Sequence, residues 1–182
     1  GGRVELGLGV GWLKEEFEAL GIPWGHRGAR NDEYIEAMRA LWAEPHAEYH
    51  GKFVNFDPAT CSPRPVNGNI PIIVGGDSEA ALNRAIRIAD GFFPGEGDAK
   101  ELGKLLGRLR EKAENCGRDP SSIEISAIFG AQMMDPANGV EQMADIGVNR
   151  IMVPAFFFAG PEGIENLRKF GDQVIPIARE VA

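Results

Sequence analysis

Cysteine is scarce here: two residues in 182, Cys61 and Cys116, standing far apart. Neither belongs to a C-x-x-C or a Cys/His cluster, so the spacing supports neither a disulfide framework nor a structural zinc site. A reducing, cytoplasmic compartment is the expected setting for such a chain. Histidine is almost as sparse. His26, His46 and His50 fall in loop-like or hairpin-like stretches without metal-ligand spacing, read as solvated surface, and no metal site is predicted. No apolar run approaches the roughly 18 to 20 residues that a membrane span needs, and no membrane partner is expected. Positive charge is in deficit, with 19 Lys and Arg against 27 Asp and Glu for a net charge of -8. That balance excludes nucleic acid as a partner, because phosphate-backbone binding needs a basic patch. Ser-His-Asp order, G-x-S-x-G and G-x-x-x-x-G-K-[ST] are all absent, as are internal repeats and low-complexity segments. An initiator Met is missing too. The chain opens Gly1-Gly2-Arg3 and enters a strand-like run at once, which predicts a cut edge there.

What is present is ordinary globular material, 43% apolar and 25% charged, close to the average for soluble domains. The length suits a single domain over 1–182 or part of a larger one. "RVELGLGVGW" alternates Val4, Leu6, Leu8 and Val10 as a strand, and "LKEEFEALG" reads as a short helix ended by Gly21. A helix from Asn31 or Asp32 to near Pro45 places Tyr34, Ile35, Met38, Leu41 and Trp42 on one face. "AEYHGKFVNF" predicts a small hairpin turning at His50-Gly51. Ile72-Ile73-Val74 then has the β-branched character of a buried parallel strand. The helix after it carries Leu82, Ala85, Ile86 and Ala89 on one stripe. "DGFFPG" is a very short strand, and Asp98 with Glu101 has the form of a capping box. That box opens a helix with Leu102, Leu105, Leu106, Leu109 and Ala113 inward. "SSIEISAIFG" and "NRIMVP" are strands, separated by the helix "ANGVEQMADIG"; Pro161 to about Ala178 is the last helix. Strand and helix alternate five times, the pattern of βαβ units and a parallel α/β sheet. On the residues alone, an open doubly wound sheet and a (β/α) barrel both fit. The dinucleotide reading is weakened because no G-x-G-x-x-G with a later acidic residue follows any strand.

Two loops carry candidate chemistry. At Val74-Gly75-Gly76-Asp77-Ser78 a pair of glycines frees the backbone N–H groups, and Ser78 or Asp77 can cap the helix that follows. Free N–H groups and the positive helix end make a ready anion site. A tight turn needed only for folding explains the same residues. At Gly9-Val10-Gly11-Trp12 the first strand ends in a second small loop, which fits either a phosphate clamp or close packing over a bulge. The carboxylates Glu15, Glu16, Asp77, Glu79, Glu96 and Asp98 form no paired acid and base. Phe92, Phe93 and Phe156 to Phe158 lie at strand ends, with core packing as their expected role.

Taken together, "GRVELGLGVGWLKEEFEALGIPWGHRGARNDEYIEAMRALW" and "RPVNGNIPIIVGGDSEAALNRAIRIADGFFP" closely resemble the luciferase-like monooxygenase superfamily. Within it, they are most similar to the branch of oxidoreductases that use the deazaflavin coenzyme F-420. The combination of G-x-G-W, E-E-F-x-A-L-G, R-G-A-R-x-D-E-Y and V-G-G-x-S carries the likeness. The resemblance implies a TIM-type (β/α) barrel, matched here over strands four to eight. It implies hydride transfer between coenzyme F-420 and a small organic substrate, with FMN and monooxygenation as the alternative. A non-catalytic cofactor-binding barrel, or an inactive fragment, is the reading from a different class. Gly11 matches the family's phosphate-touching glycine after the fourth strand; Gly75, Gly76 and Ser78 match the glycine pair and helix-start hydroxyl on the same phosphate. Catalytic residues stay unassigned, because the family's ring-packing residues lie in strands before this match. Trp12 stands where some relatives have a glutamate. Uncovered strand edges predict a homo-oligomer.

Overall fold

The computed structural model describes residues 2–181. Gly1, where the cut edge is expected, and Ala182 lie outside the described residues. The chain divides into two compact units, Gly1–Val74 and Gly75–Ala182.

In the first unit, β1 (Leu6–Leu8) pairs in parallel with β4 (Ile72–Gly75), with Leu6, Gly7 and Leu8 opposite Ile72, Ile73 and Val74. A parallel pair needs a long crossover. Here it contains α1 (Lys14–Ala19), α2 (Arg27–Ala43) and an antiparallel hairpin of β2 (Ala47–His50) and β3 (Asn55–Ala59). The strand β1 is shorter than the alternation of Val4 to Val10 predicts, and Val4 is 64% exposed. Helix α2 begins at Arg27, ahead of Asn31, after His26 takes a left-handed φ of 60°. Its expected apolar face is only partly buried: Ile35 is inside, but Tyr34 is 46% exposed. The reason is that α2 meets the hairpin through polar groups. Glu33 accepts backbone N–H groups from Lys52, Phe53 and Val54 at 3.0, 2.6 and 3.2 Å, and Tyr49 Oη donates to Glu36 at 2.7 Å. Gly51 N–H closes the hairpin turn on the Val54 carbonyl at 2.8 Å.

The second unit is held differently. Its strands β5 (Gly91–Phe93), β6 (Glu124–Ile128) and β7 (Arg150–Met152) pair in parallel in that order. Helices α3 (Glu79–Ile88), α4 (Ala99–Asn115), α5 (Pro136–Asp145) and α6 (Gly163–Glu180) precede, separate and follow them. The apolar stripes predicted for α3 and α4 are buried in full: Leu82, Ala85, Ile86 and Ala89 on one, Leu102, Leu105, Leu106, Leu109 and Ala113 on the other. Each buried leucine contributes on the order of 2 kcal/mol relative to exposure, as an upper bound. Asp98 caps α4 by accepting from Lys100 and Glu101 N–H, both at 3.0 Å. The reciprocal half of the box is absent among the described residues. Glu101 pairs with Lys104, and Asp98 N–H donates to Glu96 Oε1 at 2.8 Å. Arg118 closes the other end of α3, donating to the carbonyls of Ala85, Ile86 and Ala89 at 3.0, 2.7 and 2.6 Å. A cation on the last carbonyls satisfies groups that a helix end leaves open.

Among the described residues no helix is long and apolar enough to cross a membrane. No group of three or more His, Cys, Asp or Glu among them could hold a metal ion. Cys61 and Cys116 are free thiols.

Candidate phosphate turn

The turn after β4 brings Gly75, Gly76 and Ser78 together at the start of α3. Gly76 has φ +112°, a conformation that L side chains rarely adopt, and an added Cβ would come to 3.3 Å from Ala81 Cβ. Glycine is therefore demanded by the backbone itself. The Gly76 N–H is not free, however: it donates to the Phe93 carbonyl at 3.2 Å and fastens the turn to the end of β5. Ser78 sits in extended conformation and its Oγ accepts the Ala81 N–H at 3.2 Å, as an N-cap should. The Ser78 carbonyl accepts from Leu82 N–H at 3.0 Å. The N–H groups of Glu79 and Ala80 belong to the first turn, so they have no partner within the helix. Gly76, Asp77 and Ser78 are exposed, so an anion can reach them.

Charge around this helix start is mixed. Glu79 would oppose an anion, but its carboxylate is engaged by Lys112 at 3.0 Å and by Arg108. Asp77 remains exposed beside it. What the turn offers an anion is thus two helix-start N–H groups and the end of the α3 dipole.

Gly11 belongs to the first unit and is glycine for a different reason. Its φ is +79°, and an added Cβ would lie 2.6 Å from the Phe17 ring. Phe17 meets Trp24 edge to face at 5.0 Å, and the Arg27 guanidinium lies 3.9 Å over Trp24. Arg27 Nε donates to the Gly11 carbonyl at 3.3 Å. Arg27 is a residue that sequence reasoning did not single out, although it stands in the quoted R-G-A-R run. The adjacent Trp12 is 84% exposed and brings no acid to the loop.

The perturbed ionisable groups sit elsewhere, in the clasp between α2 and the hairpin. Burial raises the Glu33 carboxyl, but the N–H groups of Phe53, Lys52 and Val54 outweigh it and hold the group below its ordinary 4.5. The bond to Glu36 pushes the Tyr49 phenol up to about 12. Of the strand-end aromatics, Phe92 is fully buried as expected, while Phe156 is 70% exposed and takes no part in the core.

The family model described as luciferase-like monooxygenase matches residues 1–161. The uncharacterized protein Rv0940c of Mycobacterium tuberculosis is 36% identical over 184 residues, which cover 96% of this chain and 62% of that protein. An FMNH(2)-dependent dimethylsulfone monooxygenase of Pseudomonas putida is 33% identical over 121 residues, 64% of this chain and 33% of its own. Among solved structures, the coenzyme F420 dependent tetrahydromethanopterin reductase from Methanopyrus kandleri superposes with a TM-score of 0.72 at 18% identity. That superposition covers 96% of this chain and 74% of the reductase. At such identity the likeness shows the fold alone: a mostly parallel α/β barrel of TIM type, of which this chain matches a part. The open doubly wound alternative is thereby excluded.

Proposed function

We propose, on the premise that this chain belongs to the luciferase-like monooxygenase family, that it is the cofactor-binding part of a coenzyme F-420-dependent oxidoreductase. Because the chain spans 62% of the length of its mycobacterial relative, the reading concerns the whole protein and its reaction. The observation that carries it is the α3 start: a turn at positive φ, a serine cap, and two exposed first-turn residues whose N–H groups have no partner within the helix. These residues fit a phosphate. Glu79 and Ala80 N–H would donate to its oxygens, Ser78 would hold the helix end in shape, and Gly76 would keep the approach clear of a side chain. Gly75 would provide the bend. The bound deazaflavin would supply the hydride chemistry, while the protein binds and orients it against a small organic substrate. The fold shared with the Methanopyrus reductase supports this reading.

A second reading has its own support. The Pseudomonas relative is FMNH(2)-dependent, so an FMN monooxygenase would use the same turn. A paired fluorescence titration with coenzyme F-420 and with FMN separates the two. Tighter deazaflavin binding supports the oxidoreductase, and preference for FMN transfers first place to the monooxygenase. If the chain binds neither, while the complete parent chain binds one, the turn alone is insufficient. We further propose a homo-oligomer, on the ground that β1 and β7 each pair on one side only among the described residues. A monomeric sedimentation profile with cooperative melting would overturn that.

A further inference from the structure

The first unit has its own concentration of anion-recognising groups. A cavity of about 280 Å³ is lined by Arg3, Arg64, Asn67 and Asn69, together with short apolar and backbone surfaces, and by no Asp or Glu. In a chain with 27 acidic and 19 basic side chains, a wall of one sign runs against the composition. Neither arginine pairs with a carboxylate among the described residues. Among the described residues, Arg64 donates one N–H to a protein acceptor, the Ala43 carbonyl, at 2.7 Å. That bond fixes the direction of a planar fork whose other N–H groups remain available. The walls are held as well. Gly68, at φ +66°, donates its N–H to the Pro65 carbonyl at 3.0 Å, so Asn67 stands on a closed β-turn. Leu6 N–H donates to the Pro71 carbonyl at 2.8 Å, which ties the strand after Arg3 to the segment after Asn69.

Two arginines and two asparagines lining one small cavity bring together the charge and the N–H donors that a tetrahedral oxyanion takes. We propose that this cavity is an anion site for a small dianion such as inorganic phosphate, independent of the α3 turn and of the cofactor reading. Arg3 and Arg64 supply the charge, and the Asn67 and Asn69 amides complete the shell.

The test is a ¹H–¹⁵N titration of the chain with sodium phosphate, run beside sodium chloride at matched ionic strength. The expected result is saturating shifts of the Asn67 and Asn69 side-chain amides and of the Arg64 Nε–H with phosphate only. Arg64→Gln and Arg3→Gln should each raise the half-saturating concentration about five-fold, the scale of one lost charge-assisted contact. Arg64→Gln also removes the tie to Ala43, so Arg3→Gln, which breaks no side-chain bond among the described residues, decides if the loop moves. The backbone amides of Glu79 and Ala80 report the α3 turn in the same spectra, so failure at one place is distinguishable from failure at the other. Linear shifts, shifts reproduced by chloride, or shifts that Arg3→Gln leaves unchanged would overturn the proposal.

Discussion

Gly11 and Gly76 both follow a strand at positive φ, at +79° and +112°, yet they are glycine for different reasons. At Gly11 the space of a Cβ is already filled by the Phe17 ring. At Gly76 the nearest neighbour is Ala81 Cβ at 3.3 Å, and the turn faces solvent. The first glycine is a packing requirement; the second leaves a backbone surface open. A glycine motif therefore carries functional weight only once the surroundings of its missing side chain are known. The two units repeat this contrast: apolar helix stripes hold the second, whereas carboxylate and guanidinium contacts to backbone hold much of the first.

The sharpest way to break the comparison is Gly11→Ala. Left-handed strain and overpacking against Phe17 together predict a loss of roughly 2–5 kcal/mol in denaturant unfolding. Adding Phe17→Ala should return part of that difference; if it does not, Phe17 is not the reason for the glycine. Gly76→Val should cost less stability, about 1–2 kcal/mol for the backbone strain, while lowering cofactor affinity on the order of tenfold by blocking the approach. An unchanged affinity in the fluorescence titration would remove the phosphate from this turn. Ser78→Ala is milder, about 1 kcal/mol for a lost N-cap, read as a shift of the unfolding midpoint.

The smallest effect is expected at Glu33, which separates the two units by pH. Its folded pKa lies below the ordinary 4.5, so its contribution is present above that pH and is lost as pH falls through the folded value. Amide protection at Lys52, Phe53 and Val54 should then decline in acid before that of the α4 core. Glu33→Gln should lower this protection at neutral pH and flatten its pH dependence. Equal decline in both units would mean that the carboxylate does not hold the hairpin.

Much of the second unit was legible in the chain. The stripes of α3 and α4 have the period of their helices, and a period survives any detail of packing. Asp98 and Ser78 were legible as caps because capping is a contact between near neighbours in sequence. Tyr34 stays half exposed because α2 does not use an apolar face against the hairpin; its Glu33 and Glu36 accept instead from the Tyr49 hydroxyl and from backbone N–H groups 13 to 21 residues away. No local pattern reports a carboxylate that folds back onto a distant turn. Phe156 is expected in the core from its place at a strand end, yet it is 70% exposed, because neither that place nor apolar character says where the surface is.

The sequence by itself determined the alternation of strand and helix, the parallel α/β class, the family likeness and the turn at Gly75 to Ser78. These rest on periodicity and on contacts a few residues long. Only the tertiary structure decided that Gly76 donates its N–H to Phe93, that Phe17 occupies the space beside Gly11, and that Arg3 and Arg64 line one cavity. Each of those depends on groups from separate segments arriving at one place. That is set by packing and by the satisfaction of buried or directed polar groups, and no stretch of sequence carries it alone.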